Sequence, residues 1–219
     1  MDFNLLIVKR YLPLFISGFV NTLKVSTVSL VFALVIGLIA GVGQISNKKA
    51  IKRISLIYIN AIRCTPLLAQ LYLVFFGLPY LGIRLSAYVT GVIALTLNSG
   101  AYIAEIIRSG IQAIPKGQTE AACSMGMKYF TMMRLIILPQ AFIIIIPPLV
   151  SQLVILVKDS ALLSIVAYSE LTRTAQIIAA DSFSPSEGYL TSAVLYFVIC
   201  YAIMIFSIYL EAKKKNKTY

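Results

Sequence analysis

Residues Leu135–Val157 read LIILPQAFIIIIPPLVSQLVILV, 23 residues without a charge between Arg134 and Lys158. At about 1.5 Å per residue, a helix of that length covers roughly 34 Å, more than the ~30 Å of a bilayer's hydrocarbon core. Four other uncharged runs match it: Val25–Asn47, Cys64–Ile83, Leu85–Ala104 and Gly188–Leu210. A soluble core has no use for five such runs. The composition agrees, with 59% apolar and 12% charged residues, where a soluble domain carries about 25% charge. The expectation is one all-α membrane domain over residues 1–219, with helices at about 17–43, 54–77, 87–107, 135–157 and 188–210 and a polar segment at 109–131. No segment is long and polar enough for a soluble domain, so any nucleotide-hydrolysing or ligand-capturing domain must sit on another chain.

The 19 Lys and Arg outnumber the 8 Asp and Glu, a formal net charge of +11. Their placement argues for a membrane rather than nucleic acid. Lys48, Lys49, Lys52 and Arg53 share one loop. Arg108, Lys116, Lys128 and Arg134 flank or occupy the next-but-one, and Lys213, Lys214, Lys215 and Lys217 form the tail. Basic residues on alternate connections mark the cytoplasmic face of a multi-pass protein. The C-terminus is therefore expected in the cytoplasm and, with five crossings, the N-terminus outside. Lys9 and Arg10 oppose this and mimic a signal peptide, but the apolar stretch after them is far longer than such a segment allows. Met1–Tyr11 reads as an interfacial lead-in. There is no histidine, and Cys64, Cys123 and Cys200 show no paired spacing. No metal site or disulfide framework is indicated, and the cysteines read as packing residues.

Two features interrupt the spans. Arg63-Cys64-Thr65-Pro66 falls within the second helix, where proline removes a donor and disfavours helical geometry before it. Between the third and fourth helices, Pro115-Lys116-Gly117 is followed by good helix formers from Gln118 to Met125 and then Gly126, a common helix terminator. This predicts a short amphipathic helix on the cytoplasmic face, although the same residues also suit an ordinary connecting loop.

That stretch reads Glu120-Ala121-Ala122, three residues, Gly126, nine residues, Ile136-x-Leu138-Pro139. It resembles the EAA loop of binding-protein-dependent ABC importer permeases at every fixed position. Along nearly its whole length the chain is similar to the polar amino-acid permeases that include the histidine, glutamine and arginine importers. The similarity includes Arg63-x-Thr65-Pro66-Leu67, the run Leu95-Thr96-Leu97-Asn98-Ser99-Gly100-Ala101-Tyr102-x-Ala104-Glu105, Ile114-Pro115-x-Gly117-Gln118 and Lys158-Asp159-Ser160. Cys64 stands where the family often has glycine, and Ala161 follows Ser160; neither departure undermines the assignment. The resemblance implies a type I ABC importer permease fold in a bacterial cell membrane. It also implies that the EAA helix is a coupling helix seated on an ABC ATPase dimer, through Glu120, Ala121, Ala122 and Gly126. The other implied partners are a second permease copy or paralogue, an extracytoplasmic amino-acid-binding protein, membrane lipid and an amino-acid substrate. ATP and Mg would be held by the ATPase, with no cofactor on this chain.

Charges within a membrane are costly and mark candidate functional sites. Arg63, Thr65, Asn98, Glu105, Lys158 and Asp159 form the candidate substrate-binding set. A zwitterionic amino acid needs an acceptor for its ammonium and donors for its carboxylate. The broken helix could supply the donors at the start of its second half. The same residues allow plainer readings. Arg63 could simply neutralise Glu105 or Asp159, Lys158–Asp159 could sit at the outer interface, and Glu105 with Arg108 is an ordinary i,i+3 pair. Tyr80, Tyr88, Tyr189 and Tyr209 suit the interface, and Tyr102 shares the Asn98 face. The leading expectation is a non-enzymatic transport subunit giving a polar or cationic amino acid such as arginine, lysine or histidine a path by alternating access. The alternative is an ion-coupled transporter or channel without an ATPase. An intramembrane enzyme is disfavoured by the lack of histidine, paired acids or a Ser–base arrangement.

Overall fold

A computed structural model describes residues 3–215, which contain helices and no strand. In chain order these are α1 (Leu5–Arg10), α2 (Leu12–Gln44), α3 (Lys49–Arg63), α4 (Leu67–Tyr72), α5 (Ala87–Gln112), α6 (Lys116–Ser124), α7 (Tyr129–Met132), α8 (Leu138–Asp159), α9 (Leu171–Ser182) and α10 (Pro185–Lys215). Among the described residues, four helical runs are long and apolar enough to cross a membrane: Leu12–Gln44, Ala87–Gln112, Tyr129–Val166 and Pro185–Tyr209. A fifth crossing results if α3 and Leu67–Leu81 count together, although they bend by 103° at the break between them. Lys217 of the basic tail lies outside the described residues.

The first long helix starts at Leu12 rather than Ser17, with Pro13 in its opening turn, where a missing N–H costs nothing. The expected fourth helix is longer and more irregular. Its approach, α7, runs through a π-helical turn at Met133–Ile137 into α8. Pro139 explains the turn: it cannot donate to the carbonyl four residues back, and the ladder slips by one residue. A 3₁₀ turn over Ser160–Val166 leads on to α9, so the stretch between α8 and α10 is a pair of short helical pieces.

The body is organised by α2 and α5, which lie close along their length. Small residues make this possible. A β-carbon built on Gly41 would sit 2.8 Å from the Ala104 carbonyl oxygen, and one on Gly37 would sit 2.5 Å from a methyl of Ile103 and 3.0 Å from the Gly100 carbonyl oxygen. Beside this seam, Ala33, Ile103, Ile107, Ala141 and Ile145 bury a common apolar core that brings in α8. The outward side of α2 (Val31, Phe32, Val35, Leu38, Ile39) and of α10 (Val194, Phe197, Val198, Ile205) is exposed and apolar, as a lipid-facing surface requires. Of the cysteines, Cys200 is partly buried, while Cys64 and Cys123 are exposed and do not pack.

At the end opposite α6, α9 is sealed onto its neighbours by polar contacts. Glu170 is fully buried and caps α9, accepting from the Thr172 and Arg173 amides at 2.7 and 2.6 Å and from the Tyr196 hydroxyl of α10 at 2.5 Å. Burial pushes the Glu170 carboxyl above the ordinary glutamate range, with these donors pulling the other way. The Leu171 amide donates to Thr22 of α2 at 3.2 Å, and Ser192 of α10 donates to the Leu171 carbonyl at 2.9 Å.

The α2–α5 seam gives a direct test. Gly41→Val must push the two backbones apart, and overpacking of this kind costs about 1–3 kcal/mol. A lower melting temperature of the detergent-solubilised protein is expected. Gly117→Ala, where an added β-carbon meets nothing within 4 Å, should leave the melting temperature near the unmodified value.

Candidate functional site

The break between α3 and α4 opens a cavity of about 510 Å³, lined in part by Arg63, Thr65, Asn98, Tyr102, Gln152 and Asp159. Four of the six residues expected in the substrate set thus share one wall system, contributed by α3 and the break, α5 and the end of α8. Pro66 is extended, with φ −63° and ψ 138°, which turns the chain and leaves the first turn of α4 without a side-chain cap. Thr65 folds back to donate to the Ala61 carbonyl at 2.9 Å.

Glu105 lies elsewhere. It lines a neighbouring cavity of about 340 Å³ with Gln44, Lys52, Asn60, Arg63, Arg108 and Gln112. Its carboxylate is bonded to Arg108, with Arg63 at 3.7 Å and the Gln44 amide at 3.5 Å. Arg63 therefore stands in the wall of both cavities, between the Glu105 carboxylate and the ring of Tyr102, whose centroid lies 5.5 Å from the guanidinium carbon. Lys158 is exposed and lines neither cavity, whereas the adjacent Asp159 turns into the first. That leaves Asp159 as the acidic member and Arg63 as the cationic member of the larger cavity.

Two amides in this region do not stand out when the sequence is read residue by residue. Gln152, buried in α8, lines the larger cavity and donates to Ser99 of α5 at 3.4 Å. A glutamine deep in a run as apolar as Leu135–Val157, where the other glutamine, Gln140, lies near the start, is the signal that could have found it. Gln70 of α4 reaches back across the break to Ile62 and Thr65 and bonds to Asn98 at 3.1 Å; only its position four residues after Pro66 hints at this.

At the other candidate site, α6 is built as a capped unit. It starts directly after Pro115 and ends at Gly126, which takes a left-handed φ of 72°. The Gly126 amide donates to the Cys123 carbonyl at 2.9 Å and the Met127 amide to the Ala122 carbonyl at 3.1 Å. Those two bonds define a Schellman ending, with Ala122 and Met127 making its usual apolar contact. Ala122 is fully buried against Ile114, Met132 and Ile137. Glu120, Ala121 and Gly126 face outward, next to exposed Met125, Tyr129 and Phe130. One methyl group thus anchors a helix whose other residues are free to meet a partner.

Comparison with known proteins shows the family to which the chain belongs. Residues 33–216 match the family described as binding-protein-dependent transport system inner membrane component. A Rickettsia felis protein whose name reads "Putative glutamine transport system permease protein GlnP" is 37% identical over 199 residues, covering 90% of this chain and 91% of that one. The arginine transport system permease protein ArtQ of Bacillus subtilis is 36% identical over 206 residues, 94% of each chain. A chain from the crystal structure of an amino acid ABC transporter with histidines superposes with a TM-score of 0.93 at 39% identity, covering 97% of this chain and 100% of that one. The protein belongs to the binding-protein-dependent transport system inner membrane component family, with the fold of a type I ABC importer permease. Within that family it is an amino-acid ABC transporter permease, an integral membrane transport subunit.

The α6 ending predicts that Gly126→Ala, which must hold a left-handed conformation with a β-carbon, costs about 1–2 kcal/mol locally. Amide hydrogen exchange over residues 116–127 should accelerate, while exchange in α2 and α5 stays as it was.

Proposed function

We propose that this chain lines the path by which a polar amino acid crosses the membrane, and that an ABC ATPase dimer drives its alternation between two openings. The observation that carries this reading is the cavity at the α3–α4 break, where Arg63 and Asp159 stand with the amides Asn98 and Gln152 within the spans. An α-amino acid presents a carboxylate and an ammonium, and this lining offers one group of each opposite sign. The polar surroundings replace water that hydrocarbon cannot supply.

The substrate class follows from which charges remain free. Glu105 is taken up by Arg108, Arg63 and Gln44, and Lys158 faces away from the cavity lining. A single acid, Asp159, remains for the α-ammonium, and the amides suit a neutral polar side chain such as glutamine's. Arginine, lysine or histidine would need a second acceptor, which Glu105 could supply only by giving up a guanidinium. Glutamine-like substrates are therefore the first choice and cationic ones the second.

The basic residues of α3, of the α5 end and of the α6–α7 region share the α6 end of the molecule, which supports a cytoplasmic α6 end by the positive-inside rule, with the N-terminus outside. The outward face of α6, with Glu120, Ala121 and Gly126, would then seat on the ATPase, which would hold ATP and Mg. Cys64, Thr65 and Pro66 are exposed, so the larger cavity is open along the break. A second copy or a paralogue packed there would close the path, and a binding protein would deliver substrate at the α9 end.

The reading is tested by reconstituting the chain with its ATPase and binding protein in proteoliposomes. ATP-dependent uptake of labelled glutamine is expected to exceed that of arginine. Asp159→Asn should lower uptake about tenfold, the scale of one lost charged hydrogen bond. Glu120→Lys should release the ATPase during purification. Uptake driven by an ion gradient and indifferent to ATP would overturn the proposal, and arginine uptake at full rate by Asp159→Asn would overturn the assigned role of that carboxylate.

A further inference from the structure

We infer that Gln70, which does not line the larger cavity, is the positioning residue that holds the α3–α4 break at its working angle and ties it to α5. This rests on the reading of that cavity as the substrate path. In an unbroken helix the carbonyl of Ile62 would accept from the backbone N–H of residue 66, and residue 66 is proline, which has none. The Gln70 side-chain amide takes the place of that N–H, reaching at 2.9 Å an Ile62 carbonyl that also accepts, at longer range, from the Thr65 amide at 3.3 Å and the Thr65 hydroxyl at 3.2 Å. The same nitrogen lies 3.1 Å from the Thr65 carbonyl and 2.9 Å from the Thr65 hydroxyl, so its two hydrogens are shared among three acceptors on the far side of the break. Its oxygen accepts from the Asn98 amide at 3.1 Å.

One side chain thus spans three segments: the last turn of α3, the extended link and the middle of α5. Each partner matters to the cavity. Thr65 and Asn98 are wall residues, and Ile62 precedes Arg63, whose guanidinium reaches both cavities. A change in the 103° bend has to stretch the bonds to Ile62 and Thr65, and a shift of α5 has to stretch the bond to Asn98. Neither set is given up without loss unless another partner replaces it. Gln70 therefore makes the bend and the α5 wall move together, and a substrate that engages Asn98 or Thr65 competes for the groups Gln70 holds.

The pattern of one donor group and one acceptor group is itself testable. Gln70→Glu keeps an acceptor for Asn98 but, when ionised, turns a carboxylate toward the carbonyls of Ile62 and Thr65. When protonated it again offers an O–H to a carbonyl and a C=O to Asn98. In proteoliposomes with the ATPase and binding protein, the ratio of Gln70→Glu to unmodified uptake should be low at about pH 8. It should climb at least about tenfold toward about pH 5, where a far larger share of a glutamate carboxyl group is protonated than at about pH 8, and fall again when the same vesicles are returned to high pH. Taking the ratio removes the response of Asp159, which both proteins share. Gln70→Leu, with neither donor nor acceptor, should raise KM for uptake about tenfold at both pH values with a smaller change in kcat, and adding Asn98→Ala to it should cost little more.

A pH-independent Gln70→Glu ratio, or Gln70→Leu with unchanged KM, would overturn the inference. So would failure of both variants to assemble with the ATPase, which would assign Gln70 to folding alone. Loss of ATP-driven uptake in the unmodified protein would instead strike the cavity reading, so the two failures are separable.

Discussion

Hydrocarbon offers no hydrogen bonds, so each backbone group freed inside the membrane has to find a partner within the protein. This constraint accounts for most of the irregular features of the molecule. Pro66 frees the Ile62 carbonyl, and a side chain from four residues beyond the proline meets it. Pro139 frees a carbonyl in the approach to α8, and there the ladder widens into a π-helical turn instead. At the α9 end, the first amides of a short helix are met by a buried glutamate rather than by solvent. The three solutions differ in what they cost: a side chain tied down, a helix thickened, and a carboxyl group held in an environment that resists its charge.

Packing between α2 and α5 sets the frame within which these repairs work. Glycine at 37 and 41 allows backbone to approach backbone, and van der Waals contact replaces the hydrophobic driving force that lipid does not provide. With α5 fixed against α2, the polar residues on its other faces have defined neighbours: Asn98 meets α4, Ser99 meets α8, and Glu105 meets α2 and the end of α3. Charge is distributed unevenly as a result. One carboxylate is shared between two guanidiniums, and the other stands in the larger cavity without an arginine paired to it.

The general plan was legible in the sequence because it rests on strong local signals. Uncharged runs of about 20 residues admit few readings, a proline after Arg63-Cys64-Thr65 marks a break, and Gly126 after eight helix-forming residues marks an ending. What the sequence did not disclose depends on side chains that reach across elements. The size of the bend at Pro66 follows from how α4 packs on α5, and the bridging role of Gln70 appears only when residues 62, 65 and 98 are brought together. The separation of Glu105 from the larger cavity was hidden for a similar reason. Its spacing from Asn98 puts both on roughly one helix face, but two arginines and a glutamine from α2 draw its carboxylate toward the other cavity. Lys158 and Asp159 are neighbours in sequence yet point apart, as successive residues on a helix do.

The seat of α6 has a mechanical side. The residue that fixes this helix to the body, Ala122, is fully buried and carries only a methyl group. A longer side chain would hold more surface but could also yield, because each rotatable bond is a place where a push is absorbed by a change of rotamer. Alanine has no such bond between heavy atoms. A load applied to the exposed face of α6 meets no rotatable bond on the Ala122 side of the contact, so whatever gives way does so in the side chains of Ile114, Met132 and Ile137, at the approaches to α5 and α8.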